Sequence, residues 1–214
     1  MLFVGVPASA AAREAVAALV ASLPVPADAR PVRWVRLDAL HLTLRYLGPT
    51  TDDRIPGVEA AIAAAVAGEQ PFRVSLRGAG AFPSLRRPRA LWLGVAAGAD
   101  GLARIARRLD DALAPGGWPR DTRPFRAHLT LARSDGVPAG PATASALAAA
   151  AEDFETDFVA DRVVLFESRT GGGPARYEPL TERLLGDRRT RAVLPSDSDP
   201  ATQESPLQGK PDRP

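Results

Sequence analysis

The sequence contains no cysteine, and of its 27 basic residues only Lys210 is a lysine. It has two histidines, two tyrosines and one methionine. The lack of cysteine excludes disulfides, thiolate metal sites and a cysteine nucleophile. It suits a reducing cytosol, and a cytoplasmic location is expected. No uninterrupted apolar run reaches 18 residues, so no transmembrane helix is expected. The opening "MLFVGVPASAAAREAV" lacks a basic start and has too short an apolar core for a signal peptide. It reads as a strand running into a helix. The formal net charge is only +2, carried on the basic side almost wholly by arginine. Arginine stays charged and grips phosphate with a planar fork of donors, although an arginine bias also follows from GC-rich coding.

With 214 residues and 45% apolar composition, the chain can bury one core, as one compact domain or two small lobes. Strands are expected at Leu2 to Val6, Val32 to Val35, Phe72 to Phe82, Ala90 to Ala96, Phe125 to Arg133, Phe158 to Ser168 and Arg176 to Leu184. The stretch "LHLTLRYL" puts leucine at alternate positions, the period of a strand with one buried face. Helices are expected at Ser9 to Leu23, with Ser9 as N-cap, at Asp52 to Ala67 and near Ala142 to Ala151. A further helix at Asp100 to Leu113 stripes one face with Leu102, Ile105, Leu109 and Leu113. Gly48–Pro49 reads as a turn and Thr170 to Gly173 as a flexible loop or lid. The domain is expected over 1–185. From Gly186 to Pro214 the chain has five prolines and little to bury, and a disordered tail is expected over 186–214.

Both histidines open the same four letters: "HLTL" at His41 and again at His128. The context repeats too. "LFVGV", a helix and "HLTLRYLG" are matched by "LWLGV", a helix and "HLTLAR". Two copies are too few for a solenoid and point to a pseudo-twofold arrangement, the motif strands facing each other across a cleft. Residues i and i+2 of a strand share a face, so His41 pairs with Thr43 and His128 with Thr130. Leu42, Leu44, Leu129 and Leu131 then point into the core. Two imidazoles that titrate near 6.5 can divide acid and base work at neutral pH. The threonine hydroxyls can donate to phosphate oxygens. A lone histidine in an apolar strand is commonly structural. Two copies that use every histidine in the chain are much harder to read that way. The inventory fits hydrolysis of a strained cyclic phosphodiester without metal or covalent nucleophile.

The sequence resembles the 2H phosphoesterase superfamily, and within it the RNA 2′,3′-cyclic phosphodiesterases, also called 2′-5′ RNA ligases. The resemblance runs over about Leu2 to Leu185, through "RWVRLDALHLTLRYLG", "GAGAFPSLRRPRALWLGV", "RPFRAHLTLAR" and "RYEPL". It implies an α+β, bilobal fold: a pseudo-twofold pair of antiparallel sheets with flanking helices around a central cleft. It implies hydrolysis of a terminal RNA 2′,3′-cyclic phosphate to a 2′-phosphate, with no cofactor and no metal. By position, His41 would be the proton donor to the 3′ oxygen and His128 the proton acceptor from water. Thr43 and Thr130 would bind phosphate, and the reverse reaction would form a 2′-5′ linkage. Ala127 departs from the family, whose members commonly carry proline there. Arg133 would be a substrate contact, although strand parity puts an i+5 residue on the wrong face unless the strand bends. Arg45 has the parity to share a face with His41 and Thr43, and a solvated edge is the equal alternative.

Phe82 is a candidate for stacking on a base and Tyr177 for touching the base or ribose, each with a packed strand residue as the even alternative; Trp34 and Trp92 could also stack but read as core. Arg86, Arg87, Arg89, Arg120 and Arg123 could follow an RNA backbone or be solvated loop charges. The expected partner is RNA with a cyclic phosphate end, with no membrane association, and the protein is expected to be a monomer. The rival readings are a phosphodiesterase for a small cyclic nucleotide or ADP-ribose cyclic phosphate, a non-catalytic RNA-binding module, and a metal hydrolase.

Overall fold

The computed structural model describes residues 1–24, 32–134, 140–169 and 176–186. The expected Thr170 to Gly173 loop and the tail from Asp187 onward lie outside them. The elements run β1 (Leu2–Pro7), α1 (Ala10–Ala21), β2 (Arg33–Trp34), β3 (His41–Gly48), α2 (Ile55–Val66), β4 (Phe72–Phe82) and β5 (Ala90–Ala97). There follow α3 (Ala99–Leu113), β6 (His128–Arg133), α4 (Gly140–Ala150), β7 (Glu155–Ala160), β8 (Arg162–Arg169) and β9 (Arg176–Leu184).

The α+β expectation holds: a curled antiparallel sheet carries four α-helices. The strand order is β7-β4-β5-β6-β3-β1-β8-β9, with β2 paired to β6. Each half contributes four strands, and the two repeated units supply the inner ones, β1 with β3 and β5 with β6. The motif strands meet at the seam as neighbours, rather than standing on opposite walls. Only one residue pair, Leu42 with Leu129, joins them. Further along, β6 pairs with β2 instead, at Ala132 and Arg133.

Helices cross the seam. Helix α1 follows β1 yet packs against β7 of the other half, and α3 follows β5 yet packs against β3. The crossing ties the halves into one body. Ser9 caps α1 as expected, its hydroxyl accepting from the Ala12 N–H at 3.2 Å. The four-residue stripe of α3 is fully buried. A buried leucine of this kind is worth about 2–5 kcal/mol against alanine. The expected single strand at Phe158 to Ser168 is instead two strands. Asp161 breaks it: its carbonyl accepts from Leu185 N–H at 2.7 Å, and its carboxylate pairs with Arg162 at 2.9 Å. Before the break the chain pairs with β4; after it, with β1 and β9.

Candidate active site

The parity read from sequence holds at the motifs. Leu42, Leu44, Leu129 and Leu131 are buried, while His41, Thr43, His128 and Thr130 are half-buried on the opposite face. Both imidazoles are fixed the same way. His41 Nδ1 donates to the Ala39 carbonyl and His128 Nδ1 to the Arg126 carbonyl, each at 2.7 Å. A carbonyl only accepts, so each neutral ring carries its hydrogen on Nδ1 and turns a bare Nε2 outward. Thr43 donates its hydroxyl hydrogen to His41 Nε2 at 3.0 Å. Among the described residues, His128 Nε2 has no such partner. Gly5 in β1 makes room for the His41 ring: a Cβ there would lie 2.8 Å from the Leu42 carbonyl oxygen and 3.2 Å from the ring's Cδ2.

The walls differ. His41 stacks on Phe3 at 4.6 Å between ring centroids and meets Tyr177 edge-on at 5.1 Å, with Phe166 at 5.8 Å. His128 meets Phe82 edge-on at 5.0 Å and Trp92 at 6.4 Å. Burial lowers the His41 pKa to about 4; its carbonyl partner opposes this, and the charges of His128 and Arg133 add to the lowering. His128 is also lowered, first by burial, against the pull of its own carbonyl, then by Arg133 and Arg126.

Two matching irregularities decide which neighbours join the site. In β3, Gly5 pairs with Thr43 but Val4 pairs with Arg45, which leaves Leu44 as an extra residue. In β6, Trp92 pairs with Thr130 but Leu91 pairs with Ala132, which leaves Leu131 extra. Each bulge resets the alternation. Arg133 therefore returns to the cleft face, which is the bend its parity required. By the same shift Arg45 takes neither the histidines' face nor a solvated edge, and meets the cleft from its α3 side. It turns toward α3, pairs with Asp110 at 2.8 Å and Asp121 at 3.9 Å, and donates to the Pro119 carbonyl. Tyr46 takes the place in the first motif that Arg133 holds in the second, and it lines the cleft. The sequence reading did not single it out.

The cleft encloses about 1670 Å³. Thr43, His128, Thr130 and Arg133 line it, with Phe82 and Arg126 beside them; the Arg126 guanidinium lies 5.6 Å from the Phe82 ring centre. His41 and Tyr177 stand behind this lining, His41 reaching it through Thr43. Tyr177 is thus a wall of the His41 pocket. Trp92 is only half-buried and belongs to the His128 wall, whereas Trp34 packs on the core. Arg120 pairs with Asp111 at 2.8 Å and does not line the cleft. No group of three or more histidine, aspartate or glutamate side chains among the described residues could hold a metal ion. No helix among them is long and apolar enough to cross a membrane.

A curled antiparallel sheet carrying four α-helices matches the fold of the LigT phosphoesterases. The crystal structure of E. coli LigT complexed with 3′-AMP matches with a TM-score of 0.67 and 27% identity, covering 87% of this chain and 98% of that one. The chain belongs to the 2′-5′ RNA ligase superfamily, whose model matches residues 6–172. An RNA 2′,3′-cyclic phosphodiesterase of Aeropyrum pernix is 37% identical over 109 residues, 50% of this chain and 60% of the relative. One from Archaeoglobus fulgidus is 33% identical over 132 residues, 62% of this chain and 71% of the relative. The match thus spans less than two thirds of the Aeropyrum protein's length.

Proposed function

We propose that the protein is an RNA 2′,3′-cyclic phosphodiesterase that opens a terminal cyclic phosphate to a 2′-phosphate. The observation that supports this most is the pairing itself: two histidines with Nδ1 tied to backbone carbonyls, each beside a threonine, at one arginine-lined cleft. The names of the relatives point the same way.

In this reading His128 Nε2 takes a proton from water as the water oxygen bonds to phosphorus. The bond from phosphorus to the 3′ oxygen breaks, and His41 Nε2–H gives its proton to that oxygen. Thr43 and Thr130 donate to the non-bridging oxygens, and Arg133 balances the phosphate charge. The anionic phosphate raises the His41 pKa on binding, opposing the effect of burial. Metal is not required, because proton transfer and charge stabilisation come from side chains. With a 5′-hydroxyl in place of water as the nucleophile, the same forward steps form a 2′-5′ linkage: the P–O5′ bond forms, the P–O3′ bond breaks and the 3′ oxygen takes the proton.

The test is hydrolysis of an oligonucleotide ending in a 2′,3′-cyclic phosphate, with EDTA present and the product identified. The expected product is a 2′-phosphate end, formed at a rate unaffected by the chelator. A 3′-phosphate product, or a rate that chelation abolishes, would refute the reading.

A further inference from the structure

The cleft is larger than one nucleotide needs. Its volume of about 1670 Å³ exceeds the roughly 300–1000 Å³ that ordinarily holds a small ligand. Its charge is lopsided as well. The carboxylates that line it, Asp110 and Asp121, are both engaged by Arg45, and Asp121 also by Arg123 at 3.5 Å. Six further arginines line the cleft: Arg86, Arg87, Arg89, Arg107, Arg126 and Arg133. All six are exposed, and none of them forms an ion pair among the described residues. Elsewhere, arginines such as Arg73, Arg104, Arg108 and Arg162 hold carboxylates. Unpaired like charges crowded around one cavity repel one another and disfavour the fold unless an anion occupies it.

Three of the six stand on a loop that the fold fixes in place. The Arg89 N–H donates to the Phe82 carbonyl at 2.7 Å, and the Ser134 N–H to the Arg89 carbonyl at 3.0 Å. Pro88 is buried, and its carbonyl accepts from the Ser134 hydroxyl. The loop's backbone is thereby anchored to the end of β6 while Arg86, Arg87 and Arg89 project outward. This is a rigid platform for a row of phosphates, rather than a single phosphate socket.

We propose that Arg86, Arg87 and Arg89 bind the backbone upstream of the reacting nucleotide. The protein would then select a chain of several nucleotides over a mononucleotide. The inference rests on the function proposed above but concerns only the length of its substrate. Binding without turnover can therefore test it separately. The probes are 5′-fluorescein oligoadenylates of one to six nucleotides, each ending in a 2′-phosphate, followed by anisotropy at several salt concentrations. Affinity should rise with length and level off at about four nucleotides. The salt slope should steepen by about 0.7 for each backbone phosphate engaged, reaching about −2 for three. Arg86→Ala/Arg87→Ala should cut the preference for the tetranucleotide about tenfold and flatten the slope by about 1.4. Arg86→Lys/Arg87→Lys keeps the charge and should retain most of the slope. Arg120→Ala, outside the cleft, should leave the preference as in the wild type.

Equal affinity for one and six nucleotides, or a slope that the double alanine variant does not change, would overturn the proposal. Hydrolysis of the tetranucleotide ending in a 2′,3′-cyclic phosphate is scored in parallel. Its absence alongside length-dependent binding would refute the activity and leave the backbone track standing.

Discussion

The two halves of the molecule carry the same four-residue phrase and give it different surroundings. In the first, Phe3, Phe166 and Tyr177 close around His41, and Thr43 caps its outward nitrogen. In the second, Phe82 and Trp92 flank His128, whose outward nitrogen has no hydrogen-bond partner among the described residues. The difference starts one strand away. The position occupied by Phe166 opposite Phe3 is occupied by Gly80 opposite Trp92. A Cβ at Gly80 would lie 2.5 Å from the Trp92 ring, so the indole rests on the bare backbone there. Duplication supplies two equivalent imidazoles; the walls make them unequal. One ring is pushed by burial to about 4; the other is also lowered, first by burial and then by Arg133 and Arg126, and lines the arginine-rich cleft. In the free protein the walls leave His41 neutral, so the donor role proposed for it depends on the bound phosphate anion raising its pKa.

The largest expected effect breaks both halves alike. His41→Ala and His128→Ala should each lower hydrolysis of the cyclic phosphate by roughly 10²–10⁴-fold, measured as kcat/KM with EDTA present. A variant with near wild-type activity would mean that one half alone suffices.

Next comes the tie between the halves. Arg45 leaves β3 to hold Asp110 on α3 and the segment from Pro119 to Asp121, which leads to Arg126 and His128. Its side chain is only 11% exposed. Arg45→Ala strands Asp110 and should cost about 3 kcal/mol in urea denaturation. Arg45→Lys should recover part of that. An unchanged midpoint would show that the clamp carries no load.

The smallest effect sharpens the comparison most. Tyr177→Leu removes an edge-on ring from His41 and touches nothing on His128. In an NMR titration the His41 pKa should move up from about 4 toward 6.5, with His128 still. The same shift bears on stability. His41 has a folded pKa below its unfolded value, so the unfolded chain binds more protons between 6.5 and about 4. Its contribution is therefore complete above 6.5 and is lost as pH falls toward 4. The wild type should lose stability over that window, and Tyr177→Leu should lose less. Equal losses in both proteins would separate the aromatic wall from the pKa.

Much of this was legible in the chain. The repeat marked the motif strands, leucine alternation set their buried face, and the α3 stripe was readable from its period. Local patterns identify faces well because burial acts residue by residue. They failed where pairing between distant strands decides. Nothing in "HLTLRY" or "HLTLAR" announces an extra residue at Leu44 or Leu131, yet those bulges turn Arg45 toward α3 and set Arg133 and Tyr46 on the histidines' side. The break at Asp161 was hidden similarly, because its carbonyl is taken by Leu185, 24 residues on. The tethers at Ala39 and Arg126 use backbone carbonyls, which leave no trace in residue type. Only their common place, two residues before each histidine, could have suggested them.

The central claim is that the two histidines form one site with opposite protonation duties. The pH dependence of kcat/KM for the wild type, His41→Ala and His128→Ala tests it most directly. The wild type should give a bell with its maximum below pH 6.5, because both groups are lowered. His41→Ala should lose the alkaline limb, where the acid would otherwise deprotonate. His128→Ala should lose the acidic limb, where the base would otherwise protonate. Limbs that persist in both variants, or that disappear in the opposite order, would contradict the account.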